Sequence, residues 1–226
     1  MLQIPNYPLL FQMADEKAIF CLEHCKGQKI FSFRIPSSCT HCGTGLNDCI
    51  LRIPPFRLPS PFRDAQKCPC SIVLKPTKGD FLTDYKNSDN LHIGVTNSAG
   101  VVYEYDMNGL SFHKTSNWKR CLAIKDFNKD KDFGSWSQYW DFTLDVVSGH
   151  QEQWARTRYD EDRHNCYSFV LAFLKALQVP ELSSFARDRR MFCEKYILPK
   201  TASAAKYITL YRKLMSEPHL VLTNKN

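Results

Sequence analysis

The stretch DRHNCYSFVLAFLKAL (Asp162–Leu177) decides how this chain reads. Asn165 is a residue type that accepts hydrogen bonds from the first free N–H groups of a helix, so Cys166 becomes the first helical residue. Val170, Phe173 and Leu177 follow Cys166 at i+4, i+7 and i+11, which puts the cysteine on the apolar face. The unpaired N–H groups and positive dipole end there favour a thiolate over a thiol. The same N–H groups could serve as an oxyanion hole. A buried helical cysteine can equally be a small core residue.

Working towards the N-terminus, LHIGVT (Leu91–Thr96), Asn97–Gly100 and VVYEYD (Val101–Asp106) read as a β-hairpin. SIVLK (Ser71–Lys75) is a strand, Pro76–Asp80 a turn and Arg120–Ile124 a further strand. Trp136, Tyr139, Trp140, Phe142, Leu144 and Val147 give Ser135–Val147 a broad apolar helical face. Two more helices are expected, Phe185–Ile197 after a Ser183/Ser184 cap and Thr201–Met215 after Pro199.

A cysteine nucleophile needs a base. His92 opens a strand expected at the centre of a small sheet, and Glu104, on the partner strand, can hold its imidazole in one tautomer. The predicted catalytic set is Cys166, His92 and Glu104. His113, His150, His164 and His219 are weaker bases, and His164, two residues before Cys166, should point away from it. Each member has a structural reading as well: a core thiol, a strand histidine and a surface carboxylate.

Before residue 50 stand Cys21, Cys25, Cys39, Cys42 and Cys49. A Cys-x2-Cys-Gly turn aims two thiolates at one ion, so Cys39 and Cys42 form one half of a structural zinc site. Cys21, His24 and Cys25 are three candidates for the other two positions, and Cys68 and Cys70 are further possibilities. KIFSFRI (Lys29–Ile35) between the halves alternates as a strand does. RIPPFRLPSPF (Arg52–Phe62) is proline-rich and reads as an extended strap, held by Phe56 and Phe62. The expected domains are a cysteine-rich zinc-ribbon-like module over 1–52, the strap over 53–70 and the main domain over 71–226.

Composition bounds the rest. The chain has 226 residues, 43% of them hydrophobic, with 15 Phe and 10 Tyr, which suits a packed core. The net charge of +7 is spread thinly, and no basic run is long enough for a nucleic-acid tract. The densest cluster is Arg187, Arg189 and Arg190. Nucleic acid is therefore not the expected partner. No signal peptide and no transmembrane segment are expected. Ten cysteines without a signal peptide point to an intracellular site, cytoplasmic or nuclear.

The order Gly79-Asp80, His92, Gly100, Glu104, Asn165-Cys166-x-x-Phe169-Val170 resembles circularly permuted papain-like domains of the lecithin retinol acyltransferase-like and NlpC type. The resemblance covers about Ser71–Leu177. It implies an α+β fold, a small antiparallel sheet packed on a central helix, and thiol hydrolase or acyltransferase chemistry with Cys166 as nucleophile. Glu104 stands where those acyltransferases commonly have His. HCKGQKIFSFRIP, LKPTKGDFL, LHIGVTNSAGVVYEYD and HNCYSFVLAFLKAL also resemble the vertebrate makorin-2 opposite-strand family, which implies a shared domain and no activity. The alternative reading is a non-catalytic scaffold with a structural zinc module.

Overall fold

In a computed structural model, residues 17–47, 49–113, 116–124 and 133–223 are described. The protein is α+β, with two antiparallel sheets and several helices. It divides into two compact units, one formed by residues 1–60 and 210–226 and the other by 61–209.

The smaller unit begins with β1 (Phe20–Glu23) and β2 (Gln28–Ser32), a hairpin whose turn uses Gly27 at φ +74°. Strand β2 stops at Ser32, short of the expected Ile35, which is half exposed. β3 (Ile53–Arg57) pairs with β1. The proline-rich stretch is thus in part a strand, where only an extended strap was expected. Pro54 and Pro55 are tolerated because β3 lies at the sheet edge, where ladder donors are not all needed. Phe56 is exposed, and so anchors nothing.

In the larger unit, β4 (Ser71–Pro76), β5 (Leu91–Thr96), β6 (Val102–Asp106), β7 (Gly109–His113) and β8 (Leu122–Ile124) form a sheet in the order β7-β6-β5-β4-β8. The β5–β6 hairpin depends on Gly100 at φ +74°, where a Cβ would stand 2.2 Å from the Gln66 carbonyl oxygen. Phe62 is buried and stacks on Phe81 at 5.3 Å, so this end of the proline-rich stretch is anchored.

Helix α1 (Phe133–Ser148) sends Trp140 into the core, where its Nε1–H donates to the Thr96 carbonyl at 2.8 Å and its ring meets Phe173 edge-on at 4.7 Å. Helix α2 (Cys166–Ala176) lies against β5 and β6. Its N-terminus is a reciprocal cap: Asn165 Oδ1 accepts from Tyr167 N–H at 3.0 Å, and Ser168 Oγ accepts from Asn165 N–H at 3.1 Å. Asn165→Ala should lower stability by about 1 kcal/mol, read from the urea midpoint, while Ser168→Ala should cost less.

The C-terminal helices differ from expectation. Ser183 and Ser184 lie inside α3 (Pro180–Phe185), and the next cap is Asp188, which accepts from Met191 N–H at 3.0 Å. Helix α4 (Arg189–Phe192) runs through a π-turn at Cys193–Ile197 into α5 (Leu198–Ser216). Pro199 therefore does not separate two helices. The wider π-turn just before it already breaks the regular ladder, which removes the usual clash of the proline ring with the preceding turn.

The chain ends in β9 (His219–Thr223), which pairs with β2 and completes the order β3-β1-β2-β9 in the smaller unit. The unit boundaries, at Ser60/Pro61 and Thr209/Leu210, thus differ from those expected at 52/53 and 70/71. Long-range strand pairing returns the C-terminal residues to the N-terminal unit.

Candidate functional site

Two clusters of reactive side chains stand out, one in each unit. In the larger unit, the register places Lys75 opposite His92 and Gly94 opposite Glu104. His92 and Glu104 are therefore diagonal neighbours on one face of the sheet, within reach of long side chains. His92 Nε2 lies 2.8 Å from Glu104 Oε2, and both residues are buried. Cys166, 6% exposed, lies close enough to the same imidazole to raise it. The three predicted catalytic residues are thus brought together.

The electrostatics are those of a charge-separated pair. Burial disfavours a charged His92, but hydrogen bonding to Cys166 and Glu104 outweighs it and pushes the imidazole up to about 9. Burial likewise disfavours an ionised Glu104. The His92 bond, the Lys75 charge and the Trp118 N–H overcome it and hold the carboxyl below its ordinary value. Lys75 Nζ is 4.0 Å from Glu104 Oε2 and 4.7 Å from the centre of the Trp118 ring. Trp118 Nε1 makes no hydrogen bond of normal geometry, so it acts on Glu104 as a nearby dipole. The Trp118 ring also lies 5.7 Å from that of His92.

Tyr159, Tyr167 and Cys193 surround the thiol. Burial raises all three, and the Cys166 charge adds to each. Sequence reading missed Tyr159, Cys193, Lys75 and Trp118, because only register and packing bring them to Cys166 and Glu104, and it passed over Tyr167 although that residue directly follows Cys166. His164 turns away as expected: its Nε2 lies 2.9 Å from the Gln153 carbonyl, and its ring stacks on Trp154 at 5.2 Å. His150 is exposed, His219 sits on β9 of the smaller unit, and the His113 side chain lies outside those described.

In the smaller unit, ligand atoms of His24, Cys25, Cys39 and Cys42 all lie within 4.8 Å of one another, and this group could hold a metal ion. The turn at Cys39–Gly43 is closed by Gly43 N–H donating to the Cys39 carbonyl at 2.8 Å, with Gly43 at φ +78°. His24 Nδ1 lies 3.3 Å from Cys42 Sγ and 3.4 Å from Cys25 Sγ, and Cys25 and Cys39 Sγ are 3.9 Å apart. A tetrahedral zinc with ordinary bond lengths separates its ligands by about 3.5–3.8 Å, so the donor set and its spacing fit that ion. The Thr44 hydroxyl, 3.3 Å from Cys42 Sγ, and its backbone hold the Cys42 thiol down to about 6. Cys42 in turn pushes Cys25 up to about 12.

Cys21 is not in the group. On β1 it alternates with Leu22, whose side chain joins Ile30, Cys39 and Leu46 in the core beneath the turn. Cys21 itself is buried, which raises its thiol. Cys68 and Cys70 belong to the larger unit and are also outside the group. No helix among the described residues is long and apolar enough to cross a membrane.

No solved structure matches the chain. The family model described as DUF4796 C-terminal matches residues 55–214. The human MKRN2 opposite strand protein is 34% identical over 198 residues, which cover 88% of this chain and 86% of that protein. The larger unit and its Cys166 cluster lie almost wholly within the residues matched by the family model, and the human relative extends the likeness across most of the chain: this protein belongs to the MKRN2 opposite strand protein family.

Proposed function

We propose that the larger unit is a thiol-dependent acyl hydrolase or acyltransferase built on a permuted papain-like core. The observation that carries this reading is the buried His92–Glu104 pair at 2.8 Å, with Cys166 at the start of α2 near enough to raise the same imidazole. Cys166 is the nucleophile. Glu104 occupies Nε2 of His92, which leaves Nδ1 as the nitrogen for the thiol. At neutral pH the raised imidazole carries a proton.

In the first step Sγ attacks the carbonyl carbon of an ester or amide. The S–C bond forms, and the bond to the leaving oxygen or nitrogen breaks as that atom takes the His92 proton. In the second step water or an acceptor hydroxyl gives its proton to His92 and attacks the thioester, which releases the acyl product and restores the thiolate. Helical N–H groups at the start of α2 would stabilise the oxyanion.

The test is peptide-resolved alkylation of all ten cysteines at neutral pH. Cys166 should react fastest among the cysteines of the larger unit, and His92→Ala should slow it about tenfold or more. Glu104→Gln should have a smaller effect in the same direction. A Cys166 that reacts no faster than Cys68, Cys70, Cys121 or Cys193, with His92→Ala changing nothing, would overturn the proposal. Such a result would favour the non-catalytic scaffold, for which the closed packing around Cys166 is the supporting observation.

We further propose that His24, Cys25, Cys39 and Cys42 hold a structural zinc. Four protein ligands close the coordination shell, so this ion would staple the turns of the smaller unit and take no part in acyl transfer. Cys21 has no place among the four.

A further inference from the structure

Around Cys166 the charges are not evenly distributed. Near Tyr159 lie the carboxylates of Glu161 and Asp106, with Arg158 close to the adjoining Tyr105. Beside Tyr167 there is a cation: the Arg189 guanidinium lies 4.4 Å from the centre of the Tyr167 ring. Tyr167 is the residue next to Cys166, and it is buried. Cys193 follows Arg189 by four residues, so the two share a face of the helix, and Cys193 also interacts with Tyr167 and Cys166.

The cation is available to a ligand. Its neighbour Arg190 is neutralised by Glu194 at 2.9 Å, and Asp188 is committed to capping the Met191 N–H. Among the described side chains, no carboxylate lies within ion-pair distance of Arg189, and Arg189 is exposed. A guanidinium stacked on an aromatic ring keeps its N–H edge free for a carboxylate or phosphate, since the ring occupies only its face. The stacking also limits the orientations of an otherwise flexible side chain.

We infer that the Cys166 site takes an acyl donor or acceptor bearing an anionic group, a carboxylate or a phosphate, which Arg189 receives on the Tyr167 side of the thiol. This deepens the thiol-enzyme reading and rests on it. Arg189 would be a specificity-determining residue.

Two alkylating probes of nearly equal size and opposite relevance test this: iodoacetate, which is anionic, and iodoacetamide, which is neutral. Rates at Cys166 are measured by peptide-resolved mass spectrometry at neutral pH and low salt, with free glutathione as the reference thiol. The ratio of the iodoacetate rate to the iodoacetamide rate should exceed that of glutathione. It should fall about fivefold in Arg189→Gln and further in Arg189→Glu, each ratio being taken within one variant so that any change in basal thiol reactivity cancels. Added salt should reduce the ratio in the wild type and hardly affect it in Arg189→Gln. A reactive Cys166 whose ratio is the same in wild type and both variants overturns the role of Arg189 and leaves the thiol-enzyme reading standing. A Cys166 inert to both reagents overturns that reading, and the anion site with it. Competition by inorganic phosphate and by acetate, added separately at constant ionic strength, then separates the two anion chemistries.

Discussion

Chelating the metal from the full-length protein is expected to unfold the smaller unit while the larger one stays folded. The protein as purified should carry one zinc per chain by atomic absorption. Apparent binding energies of structural zinc in small domains are about 10–16 kcal/mol at neutral pH, far more than the apolar core of a four-stranded sheet this small can supply. Leu22, Ile30, Cys39 and Leu46 are the buried centre of that core, and one of the four, Cys39, also belongs to the group that could hold the metal. The two units carry different reporters. All four tryptophans, Trp118, Trp136, Trp140 and Trp154, lie in the larger unit. A strong chelator should therefore abolish amide-exchange protection in β1 and β2 while tryptophan emission holds its position. Cys39→Ser should do the same without chelator, whereas Cys21→Ser should retain zinc. A metal-free wild type with β1 and β2 fully protected would overturn the zinc assignment.

The second large effect concerns pH. The folded protein holds His92 at about 9 against an ordinary value of 6.5. A group raised on folding stabilises the native state fully below its unfolded value, and that contribution is lost as pH rises through the folded value. His92 should therefore contribute on the order of 3 kcal/mol below about pH 6.5, and that contribution should fade as pH climbs towards 9 and beyond. Glu104 works in the other sense: its lowered carboxyl stabilises the fold above its ordinary 4.5 and ceases to do so in acid. The two belong to one hydrogen-bonded pair, so their contributions overlap and are not summed. Urea midpoints of the wild type should fall between pH 6.5 and 9, and His92→Gln should flatten that part of the curve. An unchanged slope in His92→Gln would show that other groups set the alkaline decline.

How much of this was written in the sequence depends on the range of the interaction. The helix carrying Cys166 was legible because its signals are local: a side-chain cap at Asn165 and an apolar face repeating within eleven residues. The β5–β6 hairpin was legible for the same reason, as was the Cys39–Gly43 turn. Strand β7 was missed although Asn108-Gly109 offered a turn signal, with Gly109 at φ +98°. Strand β9 carried only a short apolar run, and pairing with β2 across most of the chain is what makes it a strand.

The sites divide along the same line. Residue type and spacing sufficed to nominate Cys166, His92 and Glu104, and to find three of the four metal-site donors among cysteines, with His24 beside them. What distinguished Cys21 from Cys25 was the end of β1: Cys21 lies buried on the strand, while Cys25 lies in the turn beyond Glu23, where it meets His24, Cys39 and Cys42. Tertiary structure alone brought Lys75, Trp118 and Arg189 to the catalytic candidates and to Tyr167 beside Cys166, since cross-strand register and the turn from α2 to α4 are long-range arrangements. The sequence by itself thus determined where a thiol could be activated: at the capped start of one helix, through backbone groups only a few residues away. Only the tertiary structure decided what surrounds that thiol, because the groups that set its charge environment come from strands and helices that meet nowhere along the chain.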